Sequence, residues 1–119
     1  MAFLVWYLRD SMIMLPAIAT IWWAALPLAA VNAVVEELVF RGAMLRALAQ
    51  SPGVVSVLVS SCSFGVAHWA NGVPGGAVGA VAAGAFGAAL AVLYRRTASL
   101  WWPVTVHIVV NCAILWTLG

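Results

Sequence analysis

Apolar residues fill this chain in long runs rather than at helical or alternating spacing, and polar or Pro/Gly breaks cut those runs into similar lengths. Each length is near the roughly 20 residues that a helix needs to cross a bilayer. The pattern predicts an all-α bundle of about five transmembrane helices: Ser11 to Leu28, Ala29 through Leu48, Val54 to Ala70, Ala77 to Tyr94 and Ser99 to Leu118. Pro27 marks the first boundary, Gln50-Ser51-Pro52-Gly53 the second, Asn71 to Gly76 the third and Arg95-Arg96-Thr97 the fourth. Pro103 falls in the first turns of the last span, where a helix tolerates it. Residues 1–119 are read as one membrane-embedded domain, without internal repeat or linker.

Composition agrees and narrows the field: 66% of the 119 residues are hydrophobic and 7% are charged, with a mean hydropathy of +1.12. No soluble domain of this length is so apolar. The five basic residues are all Arg, at 9, 41, 46, 95 and 96, and they form no basic patch of the kind that binds nucleic acid. In a five-span chain Arg9, Arg46 and Arg95-Arg96 share one side. The positive-inside rule makes that side, and the N-terminus, cytoplasmic. Val31-Asn32-Ala33 has the look of a signal-peptide cleavage site, but Arg9 is followed at once by Asp10 and the apolar run is too long for a signal core. Cys62 and Cys112 lack metal-type spacing and read as small buried residues rather than a disulfide or zinc pair. The fourth span carries two rows of small residues, Gly76, Ala80, Gly84, Ala88 and Gly79, Ala83, Gly87, Ala91, which close helix packing explains. Trp6, Trp69, Trp101, Trp102 and Trp116 read as interfacial anchors.

Against this background a few ionisable residues stand out: Glu36-Glu37 with Arg41, His68, and His107 with Asn111. Such groups are costly inside a membrane and are functional candidates by default. At 1.5 Å per residue, Glu36, His68 and Asn111 lie at a matched depth, roughly 20 Å from the Arg-rich side, with His107 shallower. Glu37 and Arg41 are four apart and can pair on one face, while Glu36, turned by about 100°, is left free for use as a general base. His107 and Asn111, also four apart, project together and could donate to one developing oxyanion. Phe64 precedes His68 by one turn, and Glu36 precedes Phe40 by the same interval. The plain structural readings are an ion pair that steadies helix packing for Glu37 and Arg41, and a satisfied interfacial residue for His68.

The spacings Glu-Glu-x-x-x-Arg at 36–41, Phe-x-x-x-His at 64–68 and His-x-x-x-Asn at 107–111 resemble the three motifs of the CPBP intramembrane proteases. That family comprises CaaX prenyl endopeptidases and proteins of bacteriocin processing and self-immunity, also called Abi. The resemblance covers about residues 29–118. It implies peptide-bond hydrolysis in the membrane, with Glu36 activating a water, His68 holding and polarising it, and His107 with Asn111 forming the oxyanion hole. Glu37 and Arg41, flanked by Phe40 and Phe64, would orient the site. The resemblance favours a metal-free, glutamate-type peptidase, while the residues also allow a zinc set of Glu36, His68 and His107, without the His-Glu-x-x-His helix of zincins.

The partners it implies are the lipid bilayer, a membrane protein or peptide substrate that is lipidated in the CaaX case, and, because only one span precedes the Glu-Glu helix, a partner subunit or second copy. The setting is the cell membrane of a bacterium or archaeon. The depth count places the site nearer the side without Arg, which favours a bacterial membrane-peptide or sorting-signal substrate over a true CaaX protein. Two other readings compete: a non-catalytic immunity or scaffold member, and a small proton-coupled multidrug transporter. The latter has no evident use for a Glu-Glu-Arg set plus two His and an Asn, and shows no inverted repeat.

Overall fold

In the computed structural model, residues 15–72 and 75–118 are described, with side chains over 23–70, at 72 and over 75–116. Every element among them is helical. The first rod is continuous: α1 (Leu15–Glu37) passes into a π-helical segment (Leu38–Met44) and then a short α2 (Leu45–Ala47). It is followed by α3 (Gly53–Asn71), α4 (Gly76–Thr97) and α5 (Trp101–Leu118). Trp23–Ala47, Gly53–Ala70 and Gly76–Thr97 are each long and apolar enough to cross a membrane, and Trp101–Trp116 is a shorter apolar helix. The chain is thus an all-α membrane bundle.

The first expected boundary is wrong. Pro27 lies inside α1 and does not end it, so the two spans predicted between Ser11 and Leu48 are one rod over the described residues. At 1.5 Å per residue that rod runs about 50 Å, in keeping with the longest dimension of the molecule, 49 Å. A proline withdraws one donor from the ladder, whereas a break would strip several backbone groups of partners where no water can replace them. Losing one bond is the smaller cost. With no reversal at Pro27, the reasoning that brought Arg9 to the side of Arg46 fails; Arg9 and Trp6 themselves lie outside the described residues.

The remaining boundaries fall within a few residues of expectation. The turn after α2 is closed by Ser51 N–H donating to Leu48 O at 2.9 Å. Ala98, in the left-handed region at φ 50°, ends α4 with its N–H on Tyr94 O. That end is tied to the start of α3, where Arg95 donates to Ser56 Oγ at 3.0 Å. A Cβ on Gly53 would lie 2.6 Å from the Arg95 guanidinium.

Packing divides the helices into two pairs, α3 against α4 and α1 against α5, joined through the π segment and by direct contact between α4 and α5. Small residues set the α3–α4 distance, since a Cβ on Gly65 would sit 2.6 Å from Ala80 O and 3.3 Å from Gly84 Cα. Both small-residue rows are used: Ala80 and Gly84 meet α3, while buried Gly87 faces the polar cluster. Apolar side chains such as Val66, Val78 and Val81 point outward, as befits a bundle whose outer solvent is hydrocarbon. Cys62 follows them outward and Cys112 is half-buried, both free. A small thiol has no reason to seek the interior when lipid accepts it equally well, so the expected burial of Cys62 is not found.

Candidate functional site

The interior of the bundle is polar. Among the described residues Glu37, Arg41, His107, Asn111, Ser56, Ser60 and Ser61 are buried, while the apolar core is slight: Phe64, Leu90, Leu45 and four alanines. In lipid, close packing and hydrogen bonds hold helices together, and every buried polar atom must find its partner inside the protein.

Arg41 organises the cluster. Its Nη1 donates to Glu37 Oε1 at 3.0 Å, the expected pair one turn apart. Its Nη2 donates to Gly87 O on α4, also at 3.0 Å, using the second lone pair that a helical carbonyl keeps. The guanidinium carbon lies 4.6 Å from the Phe64 ring centroid, a desolvated cation–π contact. Three elements thereby converge on one side chain. Gly87 makes this approach feasible, because a Cβ there would come within 3.2 Å of Arg41 Nη2 and 3.1 Å of Phe64 Cδ1.

The π segment positions Arg41. Its turns hold more residues than an α-helix and occur mostly at functional sites, and Ser60 Oγ donates to Phe40 O within it at 3.0 Å. Phe40 meets Phe64 edge-on, with centroids 5.0 Å apart at 90°.

His107 reaches across from α5 and touches both carboxylates. Its Nδ1 is 2.7 Å from Glu37 Oε1, and its Nε2 is 3.4 Å from Glu36 Oε2. Phe64 and Phe86 each meet its ring nearly edge-on, at 5.9 and 5.4 Å between centroids. Glu36 is the more open carboxylate, with a fifth of its side chain exposed. Its Oε2, with Glu37 Oε2 and Arg41 Nε, is buried without a hydrogen bond. The 3.4 Å contact to His107 is an ion-pair distance that lacks hydrogen-bond geometry.

Asn111 and His68 sit at the margins of this cluster. Asn111 Nδ2 donates to Ala29 O at 3.3 Å, so the two groups of the His-x-x-x-Asn motif engage α1 at different heights, His107 at the carboxylates and Asn111 further toward its start. His68 is half-buried on α3, and its Nδ1 is 2.8 Å from Phe64 O. A carbonyl only accepts, so Nδ1 carries a proton and this bond leaves Nε2 to the site. Its ring lies 4.3 Å from Phe64, and the same phenyl ring touches both imidazoles. The structure therefore brings Glu36, Glu37, Arg41 and His107 into direct contact, and brings His68 to them through Phe64.

Sequence reasoning assigned the cluster no Gly87, Phe86 or Ser60. Gly87 was one of many small residues on α4, and its carbonyl carries the contact, which no side-chain pattern reveals. Among the described residues no three His, Cys, Asp or Glu side chains are placed to hold a metal ion.

No curated protein and no solved structure matches the chain. Residues 18–113, a stretch that contains all three motifs and the contacts just described, match the family model described as type II CAAX prenyl endopeptidase, Rce1-like. The chain is an integral membrane protein and belongs to the Rce1-like type II CAAX prenyl endopeptidase family.

Proposed function

We propose that this chain hydrolyses a peptide bond in a lipidated, membrane-associated protein or peptide, with Glu36 as the base that activates water. The family supports CAAX-type proteolysis in general terms. The observation that supports Glu36 is its Oε2: buried, without a hydrogen bond inside the protein, and 3.4 Å from an imidazole nitrogen. An oxygen so placed is available to accept a proton from water, and low surrounding polarity strengthens the interaction. His68, through Nε2, would accept from the same water and help orient it. Asn111 and the protonated form of His107 would face the oxyanion of the tetrahedral intermediate.

Position along the rods favours entry from the Arg-rich end. Glu36 is about 16 Å of helix from Ala47 and His107 about 9 Å from Trp101, while His68 lies deeper, about 22 Å from Gly53. The positive-inside rule assigns the end bearing Arg46, Arg95 and Arg96 to the cytoplasm, where a prenylated C-terminus would arrive. This supports a CAAX-type substrate over a sorting-signal peptide exposed on the other face.

The test is cleavage of a farnesylated CAAX peptide, and of its unprenylated counterpart, by purified protein in nanodiscs. Glu36→Ala, His68→Ala and His107→Ala should each abolish turnover, and the farnesylated peptide should be the better substrate. Full activity in Glu36→Ala would remove the base.

A further inference from the structure

One polar side chain of the first rod has no part in the cluster described above. Asn32 lies in α1, within the stretch Trp23–Ala47 that is long and apolar enough to cross a membrane, and it is half-buried. Its amide forms no hydrogen bond with any described residue. A carboxamide carries two donors and an acceptor oxygen, and leaving them unmet away from water is costly. Helix formation does not account for it either, since asparagine is a poor helix former.

Its position supplies a use. Asn32 precedes Glu36 by four residues, so the two side chains share one face of the helix, with Cβ atoms about 5–6 Å apart. Helical side chains lean toward the N-terminus, which carries Glu36 back over the turn that bears Asn32. Ala29 and Ala33 beside it are buried, whereas Val31, Val34 and Val35 turn outward. Asn32 therefore stands on the border between the packed and the lipid-facing sides of α1, as does Glu36 with a fifth of its side chain exposed. Asn111 reaches the same turn from α5, because its Nδ2 donates to Ala29 O and a helical carbonyl points along the axis toward the residue four further on. Asn32 and the unbonded Glu36 Oε2 thus offer unused hydrogen-bonding capacity side by side.

We infer that Asn32 is a substrate-binding residue whose carboxamide pairs with the main chain of an extended substrate strand, two residues from the carbonyl that is attacked. The inference rests on the hydrolytic reading above and adds a contact to it. A segment whose carbonyl carbon is open to water is unwound there, and its N–H and C=O groups have lost their helical partners where lipid offers none. The N–H and C=O of one residue in an extended strand point the same way, and the amide of Asn32 presents an acceptor and a donor to match them. Two residues of strand advance the chain by about 6.6 Å, close to the separation of Asn32 and Glu36 on their shared face.

The test uses purified protein in nanodiscs, the farnesylated CAAX peptide, and the variants Asn32→Ala and Asn32→Leu. With no internal partner to lose, both variants should keep or exceed the wild-type Tm. KM should rise roughly 10–100-fold, because a main-chain group of the substrate is left unpaired in a dry site. The contact is made alike in the ground and transition states, so kcat should stay within about threefold. Peptides methylated at the main-chain nitrogen, one position at a time, supply the second half of a double-mutant cycle. Methylation two residues before or after the attacked carbonyl should raise KM for wild type by a similar factor and leave Asn32→Ala unchanged within about twofold. Unaltered KM in both variants overturns the inference, as does a methylation penalty that Asn32→Ala retains in full. A fall in kcat alone would move Asn32 to the water or the oxyanion, and a lowered Tm in both variants would make it structural; either result also overturns the assignment. Wild-type protein that cleaves none of the peptides sinks the hydrolytic reading and this contact with it, whereas active wild type beside unaffected variants sinks the contact alone.

Discussion

Alanine at Gly87 should impair the site more than the fold. A Cβ there would lie 3.1 Å from Phe64 Cδ1, 3.2 Å from Arg41 Nη2 and 3.3 Å from Phe64 Cβ, each a few tenths of an ångström closer than an ordinary contact. Phe64 is 1% exposed and packed against Phe40, His68 and His107, so it cannot yield without shifting an imidazole. Overpacking costs about 1–3 kcal/mol, and replacing a helical glycine by alanine returns about 1 kcal/mol of helix propensity. The net destabilisation is therefore about 0–2 kcal/mol. Catalysis is less forgiving, because a misplacement near 1 Å can cost about 100-fold; a shift of a few tenths should lower kcat by roughly tenfold.

Gly84→Ala supplies the control on the same helix. Its Cβ would meet Ser61 O at 3.5 Å, ordinary contact, so the propensity gain stands alone and activity should persist with an equal or higher Tm. Gly65→Ala marks the other extreme: its Cβ would lie 2.6 Å from the backbone oxygen of Ala80, and α3 and α4 must separate. Thermal denaturation in nanodiscs, paired with peptide cleavage, reads all three. A Gly87→Ala protein as active and as stable as Gly84→Ala would refute this account of how Arg41 and Phe64 are seated.

Arg41→Ala should destabilise the protein by about 3–5 kcal/mol, since it leaves Glu37 buried without its cation. Arg41→Lys should recover only a minor part of it, lacking the planar fork that reaches Gly87 O while lying over Phe64; denaturation midpoints of the two variants against wild type decide the matter. Ser60→Ala should cost about 1–3 kcal/mol by leaving Phe40 O without its donor, whereas Ser61→Ala, whose hydroxyl bonds within its own helix to Leu58 O, should cost less in the same measurement.

Residues that meet through helical spacing were legible in the sequence. Glu37 and Arg41 pair as their four-residue interval requires, and His68 stacks on Phe64 for the same reason. The rareness of charge in an apolar chain singled out His107, which is indeed at the centre of the cluster. Contacts that depend on where rods cross were not legible. His107 divides itself between Glu36 and Glu37, although a rotation of about 100° seemed to separate the roles of those carboxylates. Asn111 bonds the Ala29 carbonyl, a contact that its spacing from His107 does not reveal. Pro27 was given the weight it has in water, where a broken helix can be hydrated; within lipid the rod continues through it.

The π segment at Leu38–Met44 makes the site depend on a count of residues as well as on their identities. A π segment holds about one residue more than the α-helical turns it replaces, so removing one from this stretch would let ordinary winding resume with the flanking helix near its old bearing, while the residues inside the stretch shift their positions. Taken from before Arg41, the deletion would move the guanidinium off its bond to Gly87 O while every named side chain was still present. A single-codon deletion here should therefore disturb the polar cluster although its side chains are all retained.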